Sequence, residues 1–259
     1  MINNKKIIVV MPAYNAGNTL KDTMDDINRN IVDEIILVDD HSRDNTLELS
    51  KSLGIRSFVH YQNFGYGRNQ KTCYREALRS GADVIVMLHP DCQYDPKLIE
   101  PLATLVANEK CDIAIGSRVL CDNPIKRGMP ISKYIANKFL TFIDNIIFGT
   151  RLSEYHTGYK AYAARVFKVV NFEYNSDDFL FSNQLMAQAI YHGFLIGEIH
   201  CPARYFQEAS TMNWKRSVTY SIGVIHTAIK YFLHKHKLKT YPLFDLKKDL
   251  PDLDYYKPY

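Results

Sequence analysis

The first 118 residues alternate short apolar runs with amphipathic stretches. Residues 5–11, 34–39, 84–88 and 112–117 are short, mostly aliphatic runs, the pattern of buried strands, and the mixed run 56–60 reads as a further strand between them. Segments of helical spacing lie between them. Asn18 stands ahead of Leu20, Met24 and Ile27, which fall on one helical face. Asp44 or Asn45 can cap a short helix that runs to Leu53 and stops at Gly54. Residues 67–80 read as a third helix closed by Gly81. Pro96 suits the first turn of a fourth, where its missing N–H is not needed. This alternation predicts an α/β fold, a mostly parallel Rossmann-like sheet with helices on both faces.

After residue 118 the rhythm breaks. Residues 131–148 and 214–237 read as long amphipathic helices, 177–191 as another helix and 194–201 as a strand. The tail from Tyr241, rich in Tyr, Pro and Asp, has no period and is expected to be an irregular arm. The parse is one domain over residues 1–240, with a nucleotide-side half to 118 and an acceptor-side half from 119, followed by the arm 241–259.

Composition narrows the class without naming the chemistry. The 259 residues are 46% hydrophobic and 23% charged, ordinary values for a globular chain. A formal net charge of +4 is too small to argue for nucleic acid. The basic residues fall in two amphipathic stretches and are not interleaved with stacking aromatics, which argues the same way. Five cysteines, Cys73, Cys92, Cys111, Cys121 and Cys201, form no Cys-x-x-Cys pair and read as reduced thiols in a cytosolic protein. The first apolar run is too short for a signal peptide, and no stretch reaches the ~18 apolar residues of a spanning helix. The expectation is a cytoplasmic protein, soluble or lying on the inner face of a membrane without crossing it.

In open α/β sheets ligands bind beyond the carboxyl ends of the strands. Those ends carry Pro12-Ala13-Tyr14-Asn15 after the first strand and Asp39-Asp40-His-Ser-Arg-Asp44-Asn-Thr46 after the second. His89-Pro-Asp91-Cys-Gln93 follows the fourth, and Gly116-Ser-Arg118 the fifth. The Gly-x-Gly-x-x-Gly fingerprint of dinucleotide folds is absent after the first strand; Gly65-Tyr-Gly67 follows the third instead, where it can open a helix near a diphosphate.

These segments resemble family 2 glycosyltransferases of the GT-A fold, in particular the branch of polyprenyl-phosphate (dolichyl-phosphate) sugar synthases. Pro12 to Asn15 resembles the opening nucleotide-binding motif. Val38 to Thr46 resembles the base- and ribose-binding motif, and His89-Pro-Asp91-Cys-Gln93 lies where the family carries Asp-x-Asp. Thr157-Gly158-Tyr159-Lys160 resembles an acceptor-side motif, and Glu198-Ile199 with Arg204 a later strand. The similarity spans roughly residues 5–205 and departs at His89, which replaces the first aspartate, and in the last helix. It implies an inverting, dolichyl-phosphate mannosyltransferase-like hexosyltransferase, with a nucleoside-diphosphate sugar (GDP- or UDP-linked) as donor and a lipid phosphate as acceptor.

The residues support that chemistry on their own terms. Asp39 and Asp40 can accept hydrogen bonds from a base and a ribose, or cap their own loop as an Asx turn. A leaving nucleoside diphosphate needs its charge neutralised, and Mg²⁺ or Mn²⁺ held by hard oxygen ligands does this. Asp91 is the candidate carboxylate and Gln93 adds an amide oxygen. His89 is either a third ligand or a buried, satisfied histidine. A phosphate acceptor needs no strong base, whereas a hydroxyl acceptor does. Asp177 and Asp178 stand about where hydroxyl-using relatives place that base, or are acids set favourably at a helix N-terminus. Arg118, Arg127 and Ser132 can hold an acceptor phosphate, and Lys160 can reach a phosphate or stay at the surface.

Residues 126–148 and 214–239 mix Lys and Arg with Ile, Phe and Trp, which suits an anionic bilayer surface. The alternative is apolar faces packed on the sheet. Two other functions stand beside the polyprenyl-phosphate transferase: transfer to a glycan or small-molecule hydroxyl, and nucleotide-sugar binding without turnover, which the loss of a carboxylate at His89 favours.

Overall fold

A computed structural model describes residues 1–120, 124–205, 214–246 and 254–259, leaving Cys121 and part of the tail outside the described residues. The predicted strands are present as β1 (Ile7–Ala13), β2 (Glu34–Asp39), β3 (Arg56–His60), β4 (Val84–Met87), β5 (Ile113–Ser117) and β7 (Ile196–His200). Two further strands join them, β6 (Lys160–Ala163) and β8 (Tyr256–Pro258). One sheet results, in the order β7-β5-β6-β4-β1-β2-β3-β8. Its core strands β1 and β4 are apolar and buried throughout, and β2 is so from Ile35 to Val38, as both-face burial requires.

Neighbours β4-β1-β2-β3 run parallel, as do β5 and β7. β6 lies antiparallel between β4 and β5, with Lys160 opposite both Met87 and Ile115. Since β6 opposes both, β4 and β5 point the same way, and the carboxyl ends of β1 to β5 share one edge. β6 starts at that edge, bringing residues 157–160 to the same place. β8 pairs antiparallel with β3, so the predicted irregular arm ends in a strand.

Helices α1 (Leu20–Asp25), α2 (Thr46–Ser52), α3 (Tyr66–Arg79), α4 (Ile99–Ala107) and α6 (Ala164–Val169) follow strands. Of these, α3 packs on β1 and β2, and α4 on β4, β5 and β6. Pro96 opens a 3-10 turn capped by Asp95, whose carboxylate accepts from Lys97 N at 2.9 Å. α1 starts after Thr19 without the side-chain cap expected of Asn18.

The second half builds α5 (Ile131–Phe148), α7 (Phe181–Tyr191) and α8 (Trp214–Lys235), which pack on one another. α7 begins at Phe181, so Asp177 and Asp178 belong to the preceding loop and do not open the helix as predicted. No helix among the described residues is long and apolar enough to cross a membrane.

Candidate active site

The β1 and β2 loops are bolted together by their own polar groups. Asn15, at a left-handed φ of 53°, donates its N–H to Ser42 Oγ at 2.8 Å and accepts from Arg43 N at 2.9 Å. Gly17 N donates to Asp44 at 2.8 Å, and a Cβ at Gly17 would stand 2.1 Å from Asn45 Oδ1. Pro12 and Ala13 are buried within β1, while the Tyr14 ring is half exposed beside them. Asp39 accepts from Ser42 N at 2.8 Å and from the Ser42 hydroxyl. Burial lifts its carboxyl above the ordinary value, against those bonds. Asp40 is more committed still: it accepts from Phe64 N and Gly65 N, both at 2.9 Å, and lies 2.7 Å from His60 Nδ1. Asp39 therefore caps its own loop through Ser42, three residues on and not at the two-residue spacing of an Asx turn, and Asp40 pins the loop that leads into α3.

That loop does not offer a free helix N-terminus to a diphosphate as expected. Gly65 N is held by Asp40, and Gly67 N and Arg68 N donate to Asp177 O. A Cβ at Gly67 would stand 2.4 Å from Ser176 O, so the 176–178 loop sits directly on the helix start. Asp177 accepts from Arg68 at 2.5 Å and Lys71 at 2.7 Å. Burial pushes its pKa up, but the two cations outweigh it and hold the carboxyl below its ordinary value. Asp177 is thus an ion-pair partner of Arg68 and Lys71. Asp178 is exposed, with one oxygen accepting from Phe179 N and the other without a hydrogen bond among the described residues.

Beyond β4, Asp91 is half buried with Oδ1 accepting from Gln93 N at 3.0 Å. Its Oδ2 carries no hydrogen bond among the described residues. Gln93 is buried, and its Nε2 has no partner among the described residues, although buried amides are nearly always paired. His89 Nε2 lies 2.6 Å from the Tyr66 hydroxyl, and a Cβ at Gly158 would stand 2.2 Å from His89 Cε1. Burial holds the imidazole below its ordinary pKa although Asp91 pulls it upward. His89 is thus half-buried with Nε2 held by Tyr66, while its Nδ1 makes no hydrogen bond among the described residues. Tyr66 also stacks on Phe179, at 4.9 Å between centroids, which links His89 to the Asp178 loop. Among the described residues no three His, Cys, Asp or Glu side chains cluster to hold a metal. Asp91 and Gln93 fit a divalent cation whose other ligands come from the diphosphate.

The acceptor-side candidates separate. The buried Arg118 donates to Glu154 from Nε, from Nη2 and from its backbone N–H, and to His156 O at 3.1 Å. Breaking such a buried pair costs about 3–5 kcal/mol, so the guanidinium is committed to Glu154. Lys160 is not at the surface. It is fully buried, donates to Thr157 O and to Ser182 Oγ at 3.1 Å, and burial lowers its pKa to about 7. Arg127 and Ser132 are exposed at the start of α5. Residues not singled out for the site in the sequence lie alongside: Glu154, the half-buried Lys133 against the Tyr205 ring at 5.6 Å, and His156, whose buried Nε2 has no partner among the described residues. Nothing local in the sequence marks Glu154, which lies 36 positions from Arg118.

A model of glycosyl transferase family 2 matches residues 8–170, which include the β1, β2 and β4 loops described above. The chain belongs to this glycosyltransferase family. An uncharacterized protein of Methanocaldococcus jannaschii, MJ1222, is 31% identical over 76% of this chain and 81% of its own length. A UDP-N-acetylglucosamine–dolichyl-phosphate N-acetylglucosaminyltransferase of Methanococcus voltae is 28% identical over 65% of this chain and 73% of its own. A dolichol-phosphate mannosyltransferase of Pyrococcus furiosus is 31% identical over 44% of this chain and 33% of its own. These names support the resemblance to the polyprenyl-phosphate branch. The GT-A fold is shared with glucosyl-3-phosphoglycerate synthase from Mycobacterium tuberculosis, at a TM-score of 0.69 and 18% identity over 88% of this chain and 80% of that one. That enzyme has been solved with UDP and with Mn²⁺ or Mg²⁺.

Proposed function

We propose that this glycosyltransferase moves a hexose from a nucleoside-diphosphate sugar to a polyprenyl phosphate at a membrane surface. The observation that carries the acceptor is the direction of the apolar faces of α5 and α8. Ile131, Ile135, Phe139, Phe142 and Ile146 on α5, and Trp214, Val218, Ile222, Ile229 and Phe232 on α8, are all exposed; Phe142 stands at 62% and Trp214 at 73%. The inward face of α5 buries Leu140 and Phe148 together with Asn137, Thr141 and Asp144. An ordinary packed helix keeps its exposed face polar, whereas here large apolar side chains stand on the outer face as well. Each large apolar side chain contributes about 1.5–3 kcal/mol when fully buried, and the adjoining Lys126, Arg127, Lys138, Lys215, Arg216 and Lys235 complement anionic headgroups. The two helices also reach the acceptor side: Asn137 donates to Glu154 at 2.7 Å, and the Tyr220 hydroxyl lies 2.8 Å from His156 Nδ1.

In this reading Tyr14, Asp39 and the loop pinned by Asp40 receive the nucleoside. A divalent cation, Mg²⁺ or Mn²⁺, would be held by Asp91 and Gln93 and would neutralise the leaving diphosphate. His89 is held by Tyr66 and Gly158 and shapes the wall beside Asp91. Arg127 and Ser132 at the start of α5, with Lys133 behind them, receive the acceptor phosphate, while Arg118 is fixed by Glu154 and supports that wall from within. A phosphate with a second pKa near ~6 attacks the anomeric carbon without a base. A hydroxyl acceptor is the second reading, favoured by Asp178, whose exposed carboxylate keeps one oxygen uncommitted.

The deciding measurement is nucleotide release from UDP-, GDP- and dTDP-sugars with and without polyprenyl phosphate. Release that depends on the lipid phosphate is expected. Asp91→Asn should abolish the metal-dependent part with an unchanged melting temperature. Full activity in that variant would remove Asp91 from the site, and release driven only by hydroxyl acceptors would replace the lipid reading.

A further inference from the structure

The last residues of the chain fold back onto the donor side. In β8, Tyr256 stands opposite His60, and Tyr61 N donates to Tyr255 O at 3.2 Å. Tyr255 is thereby buried to 9% exposure between β3 and α3. Its hydroxyl accepts from Arg75 at 3.0 Å and lies 3.0 Å from Thr72 Oγ1, which in turn lies 3.0 Å from His60 Nε2. The other nitrogen of His60 is the one held 2.7 Å from Asp40. A hydrogen-bonded chain therefore runs from Arg75 through Tyr255, Thr72 and His60 to the carboxylate that pins the entry to α3. The ring of Tyr255 makes a second set of contacts. It packs edge-on against His60 and Phe64, at 5.3 and 5.4 Å between centroids, and lies under the Arg68 guanidinium at 5.1 Å. Arg68 is the residue that ion-pairs Asp177.

We propose that residues 254–259 are a clasp that positions the donor site, with Tyr255 a positioning residue acting on the nucleotide through Thr72, His60 and Asp40. The inference rests on the reading of the Asp39–Asp40 strand end as the nucleotide subsite. A three-residue edge strand holds itself weakly, so the side-chain contacts of Tyr255 and Tyr256 are what keep it in place. Tyr256 donates to Glu76 at 2.6 Å and accepts from Arg79 at 2.9 Å. Without the Tyr255 hydroxyl, Thr72 Oγ1 loses one of its partners and keeps Arg68 O at 3.3 Å and His60 Nε2 at 3.0 Å. The hydroxyl that orients His60 is then held less firmly, which loosens the orientation of Asp40.

The test is calorimetric binding of UDP and of GDP, with steady-state kinetics on the donor sugar of whichever nucleotide binds. Tyr255→Phe keeps the ring and loses the hydroxyl. Its nucleotide Kd and donor KM should rise about fivefold, the effect of one lost hydrogen bond, with kcat within about twofold. Tyr255→Ala loses both sets of contacts, and kcat should fall as well because the 176–178 loop loses its Arg68 support. Thermal melts of both variants report folding, and Tyr255→Phe carries the test if Tyr255→Ala does not fold. Asp39→Asn is measured in parallel. If Asp39→Asn weakens nucleotide binding while Tyr255→Phe binds like wild type, the clasp is overturned and the subsite stands. If Asp39→Asn binds normally, or neither nucleotide binds the wild-type protein, the subsite reading falls and the clasp with it.

Discussion

Asp144 has an unusual place for an acid. It lies on the inward face of α5, fully buried, with Oδ2 accepting from Asn183 at 2.9 Å and Oδ1 without a partner. Burial raises its pKa to about 7, and the single bond from Asn183 opposes this only in part. The consequence for stability has a definite sign. Between about pH 4 and 7 the unfolded carboxyl is ionised while the folded one keeps its proton. The native state binds more protons, and stability falls as pH rises through that window. Lys160 acts oppositely: its folded pKa of about 7 lies below the ordinary 10.5, so its contribution to stability rises with pH between those values. Asp144→Asn keeps an acceptor for Asn183 and removes the titration. It should raise the melting temperature at pH 8, by a few kcal/mol of stability at most, and change it little at pH 5. Melts at the two pH values check this, and an equal shift at both would exclude a burial-raised Asp144.

At the scale of elements, helical spacing identifies the two faces of α5 but not which one turns inward. The usual assumption puts the apolar face against the core; here apolar residues lie on both sides, with Leu140 and Phe148 facing in beside Asn137, Thr141 and Asp144, and Phe139 and Phe142 facing out. Replacing both outward residues, Phe139→Ser with Phe142→Ser, should leave the melting temperature nearly unchanged. It should weaken sedimentation with phosphatidylserine liposomes at least about tenfold, and binding by the unmodified chain should fall with added salt. Liposome binding that ignores the double substitution would assign the apolar face another role. β2 matched its predicted limits because its aliphatic run Ile35–Val38 is bounded by Glu34 and Asp39, and β3 matched because it is bounded by Gly54 and the polar turn after His60. β6 and β8 escaped prediction for the opposite reason. Each is three or four residues long, and each exists because a distant neighbour, β4 and β5 or β3, supplies its ladder.

Across the whole molecule the same division holds. The topology rule located the strand-end loops, because parallel strands deliver their carboxyl ends to one edge whatever the partners are. What those side chains do there depends on pairs the sequence does not mark. Arg118 meets Glu154 across 36 positions and Arg68 meets Asp177 across 109, and each pair engages a candidate side chain. Asp178, proposed above as the base of the hydroxyl reading, lies beside Phe179, which stacks on the Tyr66 that holds His89. Its importance depends on the acceptor. A positioned general base contributes on the order of 10²–10⁴ in rate to a hydroxyl nucleophile, and next to nothing to a phosphate already ionised at pH 7. With a polyprenyl phosphate as acceptor, Asp178→Asn should keep kcat within about threefold. With a hydroxyl acceptor the same change should lower it at least about 100-fold. The comparison of kcat for the two acceptor classes in this one variant decides between them: a 100-fold loss with polyprenyl phosphate would mean that the phosphate is not the attacking group.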